Sequence, residues 1–276
     1  MSRYRVLLQA QSMIQARTAH EILVTFRLTP CMLSKAKVRF IKQLQVKKYR
    51  LAEQSFIVQG NKVVTETLAS DFDVKILLAT ESFLNALSPK LSARAGEVIM
   101  VNEHELTAVG SVETNNAALA VVSMATPKPL SLGGWMIALD DIRDPGNLGT
   151  IIRTADWYGV SQIVASPETT DFYNPKVISA TMGSFLRVRM HYTPMTEFLK
   201  ESATPVYGAL LKGENVHTKK FDKQGILVIG NESRGISRDV EKLITHRITI
   251  PKLGEAESLN ASVATAVILD NIFRYS

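Results

Sequence analysis

The chain has 276 residues, 46% of them hydrophobic, and carries a formal net charge of +6 with a pI near 9.3. That length suffices for one large domain or two ordinary ones, and the positive charge favours an anionic partner. The single cysteine, Cys31, excludes a disulfide framework and a cysteine zinc cluster; together with the lack of any apolar run near the roughly 18 residues that span a bilayer, it predicts a soluble, cytoplasmic protein.

The first 31 residues carry four arginines against one acid, Glu21. This charge bias is typical of a transit peptide. A poorly ordered extension explains the same composition, and we favour it, because the stretch from Met32 reads like a natural beginning.

A helix is predicted to follow Ser34, a good capping residue, because Val38, Ile41 and Leu44 recur at helical spacing. Its other face is basic, and a second basic run with Tyr49 in it follows at once. Such runs are explained equally well by a solvated helix face and by RNA binding. RNA binding would use the basic side chains to neutralise phosphates and the aromatic ring to stack on a base. The candidate RNA-binding residues are Lys35, Arg39, Lys47, Lys48 and Arg50.

Strands and helices then alternate, which predicts a small α/β domain over residues 32–126. Its strands are predicted at residues 55–59, 74–78, 97–101 and 118–124, and its helices at residues 63–68, 81–87 and 104–109. Residues 127–134 contain prolines and glycines and predict a linker.

The second predicted domain, residues 135–276, alternates in the same way and predicts a mostly parallel sheet with helices on both faces. Its strands are predicted at residues 135–139, 162–165, 188–191, 206–211, 225–229 and 246–250. Its helices are predicted at residues 148–158, 175–184, 195–201, 238–243 and 261–273.

Unusual residues follow three of these strands, where ligand sites of open α/β sheets tend to lie. The first loop is an Asp-Pro-Gly-Asn turn ending at Asn147, with Arg153 on the helix behind it. Taken alone, Asn147 reads as a turn or cap residue and Arg153 as a surface arginine. The second loop, residues 229–236, matches no phosphate-binding glycine pattern, and its Glu232 reads as a carboxylate near a helix N-terminus.

The third loop, residues 250–260, places Ser258 and Asn260 between a strand end and an apolar helix. Capping of that helix explains both residues, since Ser and Asn lead the N-cap preferences. The five histidines of the chain fall outside all three loops. A Ser-His-Asp hydrolase therefore has little support.

Taken together, the three loops resemble the signature motifs of the SpoU (TrmH) family of RNA ribose 2′-O-methyltransferases, within the SPOUT superfamily. Three separated segments match in order and in internal spacing, so the likeness is specific. It covers residues 135–276, and residues 32–126 resemble, more loosely, the ribosomal-protein-L30e-like substrate-binding domain often found ahead of it.

The resemblance implies a parallel sheet whose C-terminal segment threads a loop to form a deep trefoil knot. It also implies S-adenosyl-L-methionine as cofactor, contacted largely through backbone at Gly230, Ile250 and Leu259. Family members are dimers with each active site near the subunit interface, and their chemistry needs no metal.

The resemblance also assigns removal of the ribose 2′-hydroxyl proton to Arg153, placed by Asn147. A guanidinium should not lose its proton in a protein, so its role stays open between a base and a clamp for phosphate or oxyanion. Glu232 is expected to orient Arg153 or the ribose. Ser258 and Asn260 are expected to shape the loop against substrate.

The expected activity is methyl transfer to a ribose of structured RNA, with ribosomal RNA favoured over transfer RNA. The alternatives are a transfer-RNA 2′-O-methyltransferase and a non-catalytic RNA-binding protein of the same fold. A SPOUT enzyme that methylates a base would need other active-site residues.

Overall fold

A computed structural model describes residues 33–112, 114–131 and 133–274, which form two sheets with their own helices. Residues 1–31, predicted to be an extension, lie outside this part. Within the described ranges, no helix is both long and apolar enough to cross a membrane.

The first sheet has four strands, and we call it and its helices the four-stranded unit. Its strands are β1 (Ser55–Gln59), β2 (Val74–Ala79), β3 (Ala95–Met100) and β4 (Ala118–Ser123). Its helices are α1 (Lys35–Gln43), α2 (Lys47–Glu53), α3 (Asn61–Ala69), α4 (Glu81–Ala86), α5 (Pro89–Ser92) and α6 (Glu103–Val109). The strand order is β1-β4-β2-β3, parallel only between β2 and β3.

Local capping sets the helix starts. The Ser34 hydroxyl accepts a hydrogen bond from the Lys37 amide, as the sequence predicts. Asn102 and Glu105 form a reciprocal capping box at the start of α6. Helix α2 was not predicted, because its lysines and arginine suggested only a basic run.

The second sheet has six strands, all parallel, so the predicted parallel sheet is confirmed. With its helices it forms the six-stranded unit. Its strands are β5 (Trp135–Asp140), β6 (Gln162–Ala165), β7 (Arg189–Tyr192), β8 (Val206–Asn215), β9 (Gly225–Gly230) and β10 (His246–Thr249), in the order β10-β8-β9-β5-β6-β7. Its helices are α7 (Pro145–Trp157), α8 (Pro175–Ala180), α9 (Met195–Glu201), α10 (Arg238–Glu241) and α11 (Ala261–Phe273).

Helix α8 ends earlier than predicted. Met182 and Gly183 both have positive φ, which a right-handed helix cannot accommodate. A short 3₁₀ turn, Ser184–Leu186, follows instead.

Alternate residues of β5 face two separate cores. Met136 and Ala138 pack in one cluster with residues of α9 and α10, and Ile137 and Leu139 pack in the other with residues of α7 and α11. Both faces of the sheet are therefore covered by helices, which explains why its strands read as nearly continuous apolar runs.

The core facing α7 continues into the four-stranded unit. Phe56 of β1 lies with its ring centroid 4.6 Å from that of Tyr173 and 5.8 Å from that of Phe185. Phe72 adds an edge-on contact to Phe185 at 5.8 Å. Phe56 and Phe185 are fully buried, so the two units share one apolar core.

The predicted linker and the residues just before it are held against the six-stranded unit. The Ala125 amide donates to the Tyr173 hydroxyl at 3.0 Å. Ser131 exchanges two hydrogen bonds with the side chain of Gln162. Deleting everything before this segment would strip the cover from Phe185, so the role of the four-stranded unit is better tested by point substitution.

Because the core is shared, we expect Phe56→Ala to lower the free energy of unfolding by about 3–5 kcal/mol. Both tryptophans lie in the six-stranded unit, so their fluorescence reports on that unit while far-ultraviolet circular dichroism reports on both. Urea titrations should show both midpoints falling together. Leu211→Ala, at a side chain 79% exposed, is the control and should change little. An unchanged fluorescence midpoint in Phe56→Ala would show that the units unfold independently.

Candidate active site

The first two predicted loops leave neighbouring strands at the same sheet edge. Asp140, the last residue of β5, pairs with Gly230, the last residue of β9. Parallel strands present their carboxyl ends at one edge, so the loops begin side by side. The buried Asp140 carboxylate also accepts a hydrogen bond from the Ser237 amide at 2.7 Å, which fastens the second loop to the first strand.

Asn147 sits in the first turn of α7, where its backbone is capped. The Asp144 carboxylate accepts from the Asn147 amide at 2.7 Å, and Pro145 occupies the first helical turn. The cap leaves the Asn147 side chain directed at the other loops. Its Nδ2 donates to Glu232 Oε1 at 2.7 Å.

Asn260 completes the network from the third loop. Its Nδ2 donates to Asn147 Oδ1 at 2.8 Å, while its own Oδ1 accepts from the Ser262 amide at 2.9 Å and caps α11. Capping and site geometry are therefore both served by one side chain. The structure brings three of the predicted catalytic residues, one from each loop, into a single chain of hydrogen bonds.

The second loop is closed on itself. Asn231 and Gly235 exchange two backbone hydrogen bonds, and a Cβ at Gly230 would lie 2.3 Å from Gly235 C and Ile236 N. A side chain at position 230 would therefore collide with the closed loop, so the fold itself requires glycine there.

A charged cluster that the sequence did not predict lies in the first two loops. The Asp141 carboxylate accepts from Arg143 Nε at 2.7 Å and from Arg234, and both guanidinium groups are exposed. The hydrogen bond to Asp141, followed by the charge of that carboxylate, raises the pKa of Arg143. Asp141 has a φ of 63°, uncommon for a residue with a side chain. The feature of the sequence that could have indicated Asp141 is its position in the first of the three loops.

Arg153 and Ser258 are not part of the hydrogen-bond network. Both are exposed, and neither side chain has a hydrogen bond or ion pair with another described residue. Arg153 lies on α7, which runs beside α11 in the same direction: Asn147 meets Asn260 at one end, and the ring of Tyr158 stacks on Phe273 at the other. The Arg153 side chain therefore faces solvent from α7, one of the two helices that begin at the site.

The third loop offers backbone groups to a ligand. Residues 252–259 are exposed, and their amides and carbonyls make no hydrogen bond to any other residue in the described ranges. Such a set of free donors and acceptors suits an adenine ring, which needs both. Ile250 is partly buried and Leu259 is half exposed at the two ends of this segment.

The candidate RNA-binding residues lie on α1 and α2, where an open groove of about 500 Å³ separates the helices. The residues that line it are Lys35, Val38, Arg39, Lys42, Gln43, Val46 and Tyr49. The Lys48 ammonium lies 5.8 Å from the centre of the Tyr49 ring. No acidic side chain lines the groove, and none of its lysines forms an ion pair with another described residue.

Arg50 does not belong to that surface. It is 2% exposed and its guanidinium is bound to Asp171 of the six-stranded unit. The interpretation of Arg50 as an RNA contact is therefore corrected: a buried, paired guanidinium is not available to a phosphate.

No group of three or more metal-ligating side chains occurs in the part of the chain that the structure describes. Residues 134–270 match the SpoU rRNA methylase family, and residues 35–120 match the MRM3-like substrate-binding domain. The two matches fall on the six-stranded and four-stranded units respectively.

Similar proteins cover both units. The 23S rRNA (guanosine(2553)-2′-O)-methyltransferase RlmP of Bacillus subtilis is 31% identical over 84% of this chain and 94% of its own length. The AdoMet-bound rRNA methyltransferase from Sinorhizobium meliloti superposes with a TM-score of 0.79 at 29% identity, over 90% of this chain and 97% of that one. The SpoU methyltransferase AviRb from Streptomyces viridochromogenes, in complex with AdoMet, gives a TM-score of 0.74 at 25% identity, over 87% and 98%.

Proposed function

The chain belongs to the SpoU family of rRNA methylases, and on that premise we propose that it transfers a methyl group from S-adenosylmethionine to a ribose 2′-hydroxyl of ribosomal RNA. The observation that carries this proposal is the network that joins Asn147, Glu232 and Asn260. A non-catalytic RNA-binding protein of this fold would have no need to keep three loops joined through polar side chains.

Bound S-adenosylmethionine supplies an electrophilic methyl group. We propose that the free backbone of residues 252–259, with Ile250 and Leu259 at its ends, holds the cofactor. Gly230 contributes indirectly, by keeping the second loop closed beside this segment. Ser258 would then shape the third loop between cofactor and RNA.

The chain must hold the 2′-oxygen in line with that methyl group. Glu232 uses Oε1 to accept from Asn147, which leaves Oε2 to accept the proton of the ribose hydroxyl as its oxygen takes the methyl group and S-adenosylhomocysteine leaves. Arg153 stays protonated and donates to the attacking oxygen or to an adjacent phosphate, because a guanidinium keeps its proton in proteins. This assigns Arg153 the role of a clamp.

The groove on α1 and α2 is proposed to grip the RNA. Lys35, Arg39, Lys47 and Lys48 supply charge for phosphates, and Tyr49 supplies a ring for an unpaired base. Ribosomal RNA is favoured because RlmP and the Sinorhizobium protein are both named as rRNA methyltransferases.

We further propose that the enzyme is a homodimer formed through α7 and α11. Trp157 at the end of α7 is 85% exposed and Val263 at the start of α11 is 48% exposed, and a partner subunit would cover both side chains. The path of the chain supports the C-terminal knot. Strand β10 is an outer strand of the sheet, and the segment after it returns to Asn147, which follows β5 three strands away. Tracing the chain in an electron-density map would test it.

We expect Arg153→Ala to lower the methylation rate by roughly 10²–10⁴-fold, the usual range for a residue that acts on the reacting atoms. Arg153→Lys keeps the charge but loses the planar fork, and should be nearly as slow. Single-turnover methylation of an unmodified large-subunit rRNA transcript measures both. Arg189→Ala, at another exposed arginine of the same unit, is the control. A lysine variant close to the wild-type rate would contradict the clamp.

For the RNA surface, we expect Lys48→Gln to weaken RNA binding and to reduce the slope of log K against log salt by about 0.7–0.9, the contribution of one phosphate contact. Filter binding at several salt concentrations gives the slope. Lys90→Gln removes the same charge from α5 and should leave the slope unchanged. Equal effects of the two substitutions would rule out a specific contact at α2.

For the dimer, light scattering on the full chain should give twice the monomer mass. Val263→Glu should shift the mass to the monomer, because it places a charge in a buried apolar interface. Leu51→Glu, at a half-exposed leucine of α2, is the matched control and should stay dimeric. An active wild-type monomer would overturn this assignment.

A further inference from the structure

Arg50 is a charged side chain buried where the two units meet. Its Nη2 and Nε donate to Asp171 Oδ2 at 2.6 and 3.2 Å, and its Nη1 donates to the Leu44 carbonyl at 2.9 Å. The Asp171 side chain is only 14% exposed. The guanidinium is thus held on both sides, by its own unit through Leu44 and by the other unit through Asp171.

Stability alone does not account for this pair. Replacing a buried ion pair with apolar residues is often neutral or stabilising, because taking two charges out of water is costly. Apolar packing already joins the units beside it, through Phe56, Tyr173 and Phe185. What the planar guanidinium adds is direction, since it fixes the angle as well as the distance between its partners.

On the side of the four-stranded unit, the pair fixes the helix that carries the RNA-binding surface. Arg50 belongs to α2, a helix of seven residues. Lys47 and Lys48 are exposed on the same helix, and Tyr49 lines the groove. Any displacement of Arg50 relative to Asp171 therefore moves these three side chains with it.

On the side of the six-stranded unit, Asp171 follows a residue bonded to the catalytic loop. The Thr170 amide donates to the Ile142 carbonyl at 2.8 Å, and the Thr170 hydroxyl donates to the Arg143 carbonyl. The Asp144 cap and then Asn147 follow directly along the chain. Only a few covalent and hydrogen bonds thus separate Asp171 from the Asn147 side chain.

Tyr192 makes the Asp171 segment rigid. Its hydroxyl donates to the Thr170 carbonyl at 2.7 Å and accepts from the Phe172 amide at 2.8 Å, so the residues on both sides of Asp171 are bound. Burial, followed by the nearby charge of Asp171, raises the pKa of Tyr192 above its ordinary value of 10.0. The phenol is protonated at neutral pH, as an ordinary tyrosine is, and keeps its donated hydrogen bond.

We propose that Arg50 is a positioning residue for methyl transfer: through Asp171 and Thr170 it sets the RNA-binding helix α2 at a fixed distance and angle from the loop that carries Asn147. The inference rests on the proposed function of the site. RNA gripped at the groove then presents its ribose at the active site without a search through other orientations.

The test compares full-length Arg50→Lys and Asp171→Asn with wild type, using S-adenosylmethionine and an unmodified large-subunit rRNA transcript. A shift of about 1 Å in such an alignment can lower a rate roughly 10²-fold, so we expect the single-turnover rate at saturating RNA to fall about 10- to 100-fold. The dissociation constants for RNA and for the cofactor should stay within about threefold, because the substituted side chains contact neither. The double variant should be no slower than the slower single one, since both remove one interaction.

Glu66→Gln is the matched control. Glu66 meets Arg187 across the same boundary at 3.8 Å, but both side chains are partly exposed, and such a pair contributes little. Its rate should equal that of wild type. Thermal melting of every variant checks that each rate is measured on folded protein. If Arg50→Lys does not fold, Asp171→Asn tests the same interaction, because it keeps the size of the side chain.

Two results would overturn the inference. In the first, the Arg50 and Asp171 variants bind RNA more weakly but methylate it at the wild-type rate once RNA is saturating. Arg50 would then support the groove alone. The other is an equal loss in Glu66→Gln, which would make the effect one of general stability. Failure of the proposed function gives a different result, because the wild-type protein itself would then not methylate the transcript.

Discussion

The side-chain amide of Asn147 is the contact on which the assembly of the site depends. Its nitrogen donates to Glu232 and its oxygen accepts from Asn260, so one planar group fixes two loops relative to a third. An aspartate there could not donate to the Glu232 carboxylate and would repel it. The amide is itself held, because Asp144 caps the backbone of its helix.

Sheet topology makes this contact possible. Glu232 and Asn260 lie 85 and 113 residues from Asn147 along the chain. They meet because every strand of the second sheet is parallel, so the loops after β5 and β9 leave from one edge and the segment after β10 returns to it. The three side chains meet through the fold and not through closeness along the chain, where Asn147 and Asn260 are 113 residues apart.

The boundary between the two units combines apolar packing with one buried charge. Phe56 and Phe185 exclude water from it, and in that setting an unpaired guanidinium would be very costly. The Asp171 carboxylate offsets this desolvation cost only when it lies within hydrogen-bonding distance of the Arg50 guanidinium. The packing thus holds the units together, while the ion pair restricts how they are oriented.

Local chemistry determined much of this protein from the sequence alone. Apolar runs such as residues 135–140 predict buried strands, Ser34 predicts a helix start, and the three loops predict a site. Each of these predictions uses only residues that are neighbours along the chain. Arg50 could not be read in this way. Beside Lys47 and Lys48 it resembled a surface residue, and only Asp171, 121 residues away, makes it a buried one. Gly230 is similar, since the backbone that excludes a side chain there belongs to a loop closure that the sequence does not display. Burial and partnership are properties of the packed chain, and the tertiary structure alone decided them.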